Sequence, residues 1–262
     1  MPDLGDKRIL LAAEGHVATL TIARPEKLNA LDMGMVAALE RAAALVEAAN
    51  EIRVVILTGA GEKSFCAGGD IEAWAENTPL DFGRSWIRHG HRAFDALARL
   101  RQPVIAVLNG HVLGGGLELA AVADLRIAET HVRIGAPETG LGMIPGWSGT
   151  QRVVRRFGAQ LTRRMALFGE IFSAEEALAL GLVDAVADTG EGMAKAQDYA
   201  ARLLERGPVA LELAKALINA AEGEEVERPL EAFAGALVAS TLDLKEGVAA
   251  FRGKRKPKFR NE

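Results

Sequence analysis

Two glycine turns and two carboxylates are the residues of this 262-residue chain whose kinds and order suit a reaction. Phe65-Cys66-Ala67-Gly68-Gly69-Asp70 and Leu113-Gly114-Gly115-Gly116 each follow an expected strand and precede an expected helix. Backbone N–H groups at such junctions have no partner within the helix, so they point outward. Two of them brought together can hold one oxyanion. Glu118 stands among Leu117, Leu119, Ala120 and Ala121, so its carboxylate is either buried or aimed into a cleft. Glu138 follows Pro137 in a loop ahead of another glycine turn. An isolated acid of this kind is more often a structural hydrogen-bond acceptor or a solvated charge. Beside two glycine turns, proton transfer becomes the better reading.

Other signatures fail on spacing. Gly59-Ala60-Gly61-Glu62-Lys63-Ser64 ends like a phosphate-binding loop, but Glu62 replaces the glycine before the lysine and would repel phosphate. Gly140-Leu141-Gly142-Met143-Ile144-Pro145 departs from a dinucleotide fingerprint at Pro145, which argues against a nicotinamide cofactor. Gly146-Trp147-Ser148-Gly149-Thr150 lacks the second glycine of a nucleophile elbow. The five histidines, at 16, 89, 91, 111 and 131, show no metal-binding helical pair, and one cysteine cannot build a cysteine-rich metal site. No metal site is expected.

The elements that must position these residues are legible from period and punctuation. Ile9 to Ala13 and Val17 to Ile22 read as a hairpin. Asp32 is the expected N-cap of an alanine-rich helix running to about Asn50, and Val54 to Thr58 reads as a buried parallel strand. A helix near Ile71 to Glu76, a second over Arg84 to Arg101 and a strand Val104 to Leu108 follow. Beyond the second glycine turn come a small-residue helix to about Ala123 and strands near Leu125 to Ala128 and Val132 to Gly135. From Thr150 the pattern is helical apart from Val183 to Val186. The texture changes near residue 200, which divides the chain into an α/β core over 1–200 and a helical C-terminal region over 201–262 of the same structural unit.

Composition excludes several classes. Hydrophobic residues make up 49% and charged residues 25%, values of an ordinary globular chain rather than a disordered or fibrous one. A net charge of −4 provides no broad footprint for nucleic acid. The distribution is uneven, since residues 252–262 carry +5 and the remainder −9. That tail reads either as a solvated terminus or as a cationic flap for an anionic ligand or a neighbouring subunit. Cys66 alone cannot form an internal disulfide, which favours a reducing compartment. With neither a signal-peptide start nor a run long enough to span a bilayer, the expected location is the cytoplasm, without membrane attachment.

Three blocks carry a resemblance: Ser64 to Asp70 (SFCAGGD), Pro103 to Asp124 (PVIAVLNGHVLGGGLELAAVAD) and Gly135 to Arg152 (GAPETGLGMIPGWSGTQR). They resemble, in order, the signature segments of the crotonase, or enoyl-CoA hydratase/isomerase, family, and the similarity runs over essentially the whole chain. The resemblance implies an α/β crotonase-like spiral of repeated β-β-α units with a C-terminal helical trimerisation region. A homotrimer, or a homohexamer made as a dimer of trimers, would follow. It also implies an acyl-CoA thioester substrate and no separate cofactor, the CoA arriving with the substrate.

By match to the family's motifs, Gly69 and Gly115 would donate the oxyanion-hole N–H groups. Glu118 and Glu138 would be the two catalytic glutamates, and the Gly146 N–H would help hold the reacting water. Ala67, Asp70, Trp74 and Trp147 fall where the family binds substrate; Phe82 and Trp86 lie in the same variable stretch as Trp74, with core packing as the alternative for each. The chain departs from the commonest hydratase pattern at Trp147-Ser148, where Gly or Ala followed by Gly is usual. Trp147 either reshapes the acyl pocket or packs at a subunit contact. Both glutamates being present favours an enoyl-CoA hydratase over an isomerase or another acyl-CoA lyase of the family. It also argues against a non-catalytic acyl-CoA binder, which gains nothing from two such acids.

Overall fold

The structure, a computed structural model, describes residues 2–225, 227–260 and 262. Its strands are β1 (Ile9–Glu14), β2 (Val17–Ile22), β3 (Val54–Gly59), β4 (Ser64–Cys66), β5 (Val104–Leu108), β6 (His111–Leu113), β7 (Leu125–Glu129), β8 (Arg133–Gly135), β9 (Ile171–Ser173) and β10 (Ala185–Ala187). The helices of the core are α1 (Met33–Ala48), α2 (Ile71–Trp74), α3 (Pro79–Asp81), α4 (Arg88–Ala98), α5 (Gly115–Ala120), α6 (Arg152–Phe157), α7 (Ala159–Phe168), α8 (Ala174–Ala179) and α9 (Gly192–Leu204). They are followed by α10 (Pro208–Ala221), α11 (Glu227–Ser240) and α12 (Leu242–Arg252).

Two sheets alternate along the chain. The larger has the order β1-β2-β3-β5-β7-β10, parallel except for the β1–β2 hairpin; the smaller has the order β4-β6-β8-β9, parallel except for β8–β9. Each turn of the chain lays one strand in each sheet and returns through helix, so β-β-α units repeat as a spiral. All six residues of β3 are buried, and this is why it reads as an unbroken apolar run. One face of the larger sheet packs with α1 and α4 in a core that includes Leu20, Leu39, Leu57 and Phe94. On its other face Ile56, Ile105 and Ile127 meet Ala196 and Ala200 of α9.

The start of α1 is where the sequence placed it: the Asp32 side chain accepts a hydrogen bond from Met35 N–H, a cap typically worth about 1 kcal/mol. The helix expected over Arg84 to Arg101 begins later, at α4, because Phe82–Ile87 winds as a π-helical turn ahead of it. The small-residue helix stops at Ala120 rather than Ala123. The expected strand at Val183 to Val186 is shifted to β10, paired with β7. β9, only three residues long, was not expected at all; it is held antiparallel to β8 by pairing that its own composition does not announce.

The chain forms two compact units, Met1–Lys215 and Ala216–Glu262. In the second, the basic tail folds against α12: Arg255 forms a two-pronged pair with Glu246 at 2.6 and 2.8 Å, and Lys258 N–H and Arg260 N–H donate to Glu246 and Asp243. No described helix is long and apolar enough to cross a membrane.

Candidate active site

The two glycine turns meet. β4 and β6 are parallel neighbours in the small sheet, so the loops that leave their C-terminal ends emerge side by side. Gly68 adopts a left-handed φ of 97°, and a Cβ there would lie 2.9 Å from Gly115 N. A Cβ on Gly115 would in turn stand 3.2 Å from Gly68 Cα and 3.4 Å from Gly69 N. Neither turn could carry a side chain without pushing the other away. Leu31 N–H donates to the Gly68 carbonyl and Asp70 N–H to the Leu31 carbonyl, so the first turn is stitched to the segment before α1. Among the described residues, Gly69 N–H and Gly115 N–H have no hydrogen-bond partner.

Both turns open on an apolar cleft of about 250 Å³, whose wall includes Ala67, Trp74, Trp86, Glu118, Glu138 and Trp147. Glu118 projects from α5 and is 4% exposed. Its Oε1 accepts hydrogen bonds from Trp147 N–H at 2.7 Å and Gly149 N–H at 2.6 Å. Glu138 begins a 3₁₀ turn, Glu138–Leu141, and both of its carboxylate oxygens are buried without a hydrogen-bond partner among the described residues. A Cβ on Gly114 would lie 3.2 Å from Glu138 Oε1, so this carboxyl rests against the second glycine turn. Burial raises both acids above the ordinary carboxylate range, and with the charge of Glu138 nearby it pushes Glu118 up to about 8.

Most of the residues singled out in the sequence converge here, and one does not. Gly146 lines the cleft, and its N–H has no partner among the described residues; the groups that hold Glu118 are its neighbours Trp147 and Gly149, which the sequence did not single out as donors. Trp74 and Phe82 stack edge to face, centroids 5.6 Å apart, on one wall. Asp70 turns away: its carboxylate pairs with Arg24 at 2.8 Å and caps α2 at Glu72 N–H. It braces the first turn from behind and does not line the cleft.

Trp147 is a buried part of the cleft floor within this unit. Its ring lies 5.1 Å from that of Trp86 and 5.3 Å from that of Phe94, and its indole N–H donates to the Trp86 carbonyl at 3.1 Å. The indole fits only because residue 90 is glycine; a Cβ there would fall 2.0 Å from Trp147 Nε1. An isolated glycine inside a helical pattern was the one sequence signal for this contact.

Ser148 is held in the left-handed region at φ 83°, a conformation that costs a non-glycine residue about 1–2 kcal/mol. Its hydroxyl meets His91 Nδ1 at 2.9 Å, and Ser148 is not part of the cleft wall, so it offers no nucleophile to a bound substrate. Among the described residues no three His, Cys, Asp or Glu side chains are grouped to hold a metal ion.

Cys66 lies under the first turn with its sulfur accepting Gly68 N–H at 3.4 Å. Burial pushes its thiol up to about 12. Intact-mass analysis should therefore find no carbamidomethylation of the native protein by iodoacetamide at pH 8, and complete single modification once the chain is denatured. Rapid labelling of the native protein would show that this turn opens readily.

Paired free N–H groups beside two buried carboxyls are groups that can hold an oxyanion and exchange protons within one cleft. The comparisons show the family. Residues 12–262 match the family model described as enoyl-CoA hydratase/isomerase. The chain is 40% identical over 252 residues to the short-chain-enoyl-CoA hydratase of Clostridium acetobutylicum, covering 95% of each protein. It is 36% identical over 255 residues to the crotonyl-CoA hydratase of Syntrophomonas wolfei, covering 97% of this chain and 98% of that one. A crystal structure of an enoyl-CoA hydratase from Bacillus anthracis superposes with a TM-score of 0.80 at 34% identity, covering 98% of this chain and all of that one. The chain belongs to the enoyl-CoA hydratase/isomerase family, and its β-β-α spiral is the crotonase fold.

Proposed function

We propose that this protein is an enoyl-CoA hydratase that adds water across the 2,3 double bond of a 2-enoyl-CoA thioester. The observation that carries the reading is the juxtaposition of two unpartnered N–H groups, at Gly69 and Gly115, with two buried glutamates in one apolar cleft. The thioester oxygen sits between the two N–H groups. Glu118 takes a proton from water held at Gly146 N–H, and the water oxygen bonds to C3. The electron pair of the double bond moves to the thioester oxygen as an enolate, and Glu138 returns a proton to C2. The acyl chain lies against Trp74, Phe82, Trp86 and Trp147. Ala67, beside the first turn, lines its entrance.

The hydrogen bonds divide the two roles. Two backbone N–H groups fix the orientation of the Glu118 carboxyl and offset part of the burial that raises it, whereas neither oxygen of Glu138 is tied to another described residue, which leaves that carboxyl free to reach C2. No resident cofactor is required, because CoA enters with the substrate. Exposed Leu237, Val238 and Phe251 in the second unit suit self-association as a homotrimer or homohexamer, and a lone buried cysteine suits the cytoplasm.

The test is hydration of crotonyl-CoA, followed by loss of the enoyl-thioester absorbance, with products weighed for the gain of one water. Water gain supports the hydratase reading. An unchanged substrate, in protein shown to bind CoA esters, would shift the assignment to an isomerase or another lyase of the family. The pH profile of kcat/KM should be bell-shaped, because the active pair holds one proton. Its rising limb should lie above the ordinary glutamate range of about 4.3. The falling limb, where the second proton leaves, should lie near the value of about 8 to which Glu118 is pushed beside a charged Glu138.

A further inference from the structure

Trp147 N–H and Gly149 N–H converge on one oxygen of Glu118 although Ser148 stands between them. Alternate N–H groups can point to one atom only if the intervening residue turns the backbone, as in anion-holding nests built with a left-handed residue. Ser148 makes that turn at φ 83°, where glycine would sit without strain. Something must hold it there.

The grip comes from α4. His91 Nδ1 meets the Ser148 hydroxyl at 2.9 Å. One turn along the helix, Asp95 pairs with Arg152 at 2.6 Å, while Arg152 N–H donates to the Ser148 carbonyl at 2.8 Å. Ser148 is therefore held at its hydroxyl by His91 of α4 and at its carbonyl by the backbone N–H of Arg152, whose side chain pairs with Asp95 of the same helix. None of these fastening groups lines the cleft.

We propose that His91 is a positioning residue: it latches Ser148 in its left-handed conformation and thereby keeps two backbone N–H groups trained on Glu118. The proposal rests on the reading of Glu118 as the group that activates water. It makes Ser148 and His91 a matched pair, in which the histidine compensates for the absence of glycine.

The experiment is a cycle of four proteins: wild type, His91→Ala, Ser148→Gly and the double variant. Crotonyl-CoA hydration is read with amide hydrogen exchange over residues 146–150. His91→Ala should lower kcat about 10- to 100-fold, as expected for a displaced catalytic group, with KM within about twofold of wild type. It should also speed exchange at Trp147 and Gly149. Ser148→Gly should retain near-wild-type kcat, and in that background His91→Ala should cost less than about threefold, with exchange protection restored. His91→Asn, which keeps an acceptor near the Nδ1 position, should recover part of the loss in the Ser148 background. Equal losses from His91→Ala in both backgrounds, or unchanged exchange at Trp147 and Gly149, would overturn the latch. The exchange readout decides the latch even in a protein that fails to hydrate crotonyl-CoA, so failure of the hydratase reading is seen separately.

Discussion

Glu118→Gln should lower the rate of water addition to crotonyl-CoA by about 10²- to 10⁴-fold, the range general base catalysis normally supplies. The substitution is nearly isosteric, and the amide oxygen can still accept from Trp147 N–H and Gly149 N–H, so the loop and the cleft should keep their shape. Binding of CoA esters should therefore be little changed. Stability should move in a defined direction. A buried carboxyl whose folded-state value is raised to about 8 costs the native state increasingly as pH climbs from the ordinary carboxylate range towards that value, because only the unfolded chain ionises freely there. The variant lacks that cost. Its melting temperature relative to wild type should rise across this interval and then level off. A wild-type rate in Glu118→Gln would remove this residue from the mechanism.

Gly115→Pro should be at least as damaging, for a different reason. Gly115 is the first residue of α5, a position where the fixed φ of proline is accepted, so the helix itself should survive. What is lost is the N–H, replaced by a ring carbon directed at the place of the thioester oxygen. Removal of one oxyanion donor commonly costs about 10²- to 10³-fold. The added Cβ also meets Gly68 Cα and the Trp147 ring at 3.2 Å and spreads the two turns. Gly115→Ala separates the two effects, since it brings the same Cβ and keeps the N–H. Kinetics on crotonyl-CoA should rank wild type, then alanine, then proline. Equal losses for alanine and proline would mean that crowding, not the donor, accounts for the defect.

Both predictions concern residues legible in the sequence, and the reason is local. A glycine turn between strand and helix, or an acid in an apolar helix, announces itself within a few positions. β3 was legible because a strand buried on both faces is apolar throughout, and α1 because Asp32 sits directly before its first turn. The three-residue β9 was not, since it exists through its pairing with β8. The same limit applied inside the site. Gly149 and Trp147 hold Glu118 with backbone atoms, which any residue type possesses. His91 and Ser148 lie 57 positions apart and meet only because α4 passes over the loop. Asp70, though next to Gly69, faces Arg24 because a carboxylate in a partly buried turn is best satisfied by that guanidinium.

The notch at Gly90 constrains how such a cleft can change over generations. With the indole of Trp147 in place, even a methyl group at position 90 collides with it. Loss of the indole first leaves an opening beneath Trp86 and Phe94 that a larger residue at position 90 could then fill. The two changes are tolerated in one order and not in the other. Lineages descending from this sequence can therefore remodel the floor of the cleft only along a one-way path, entered through position 147.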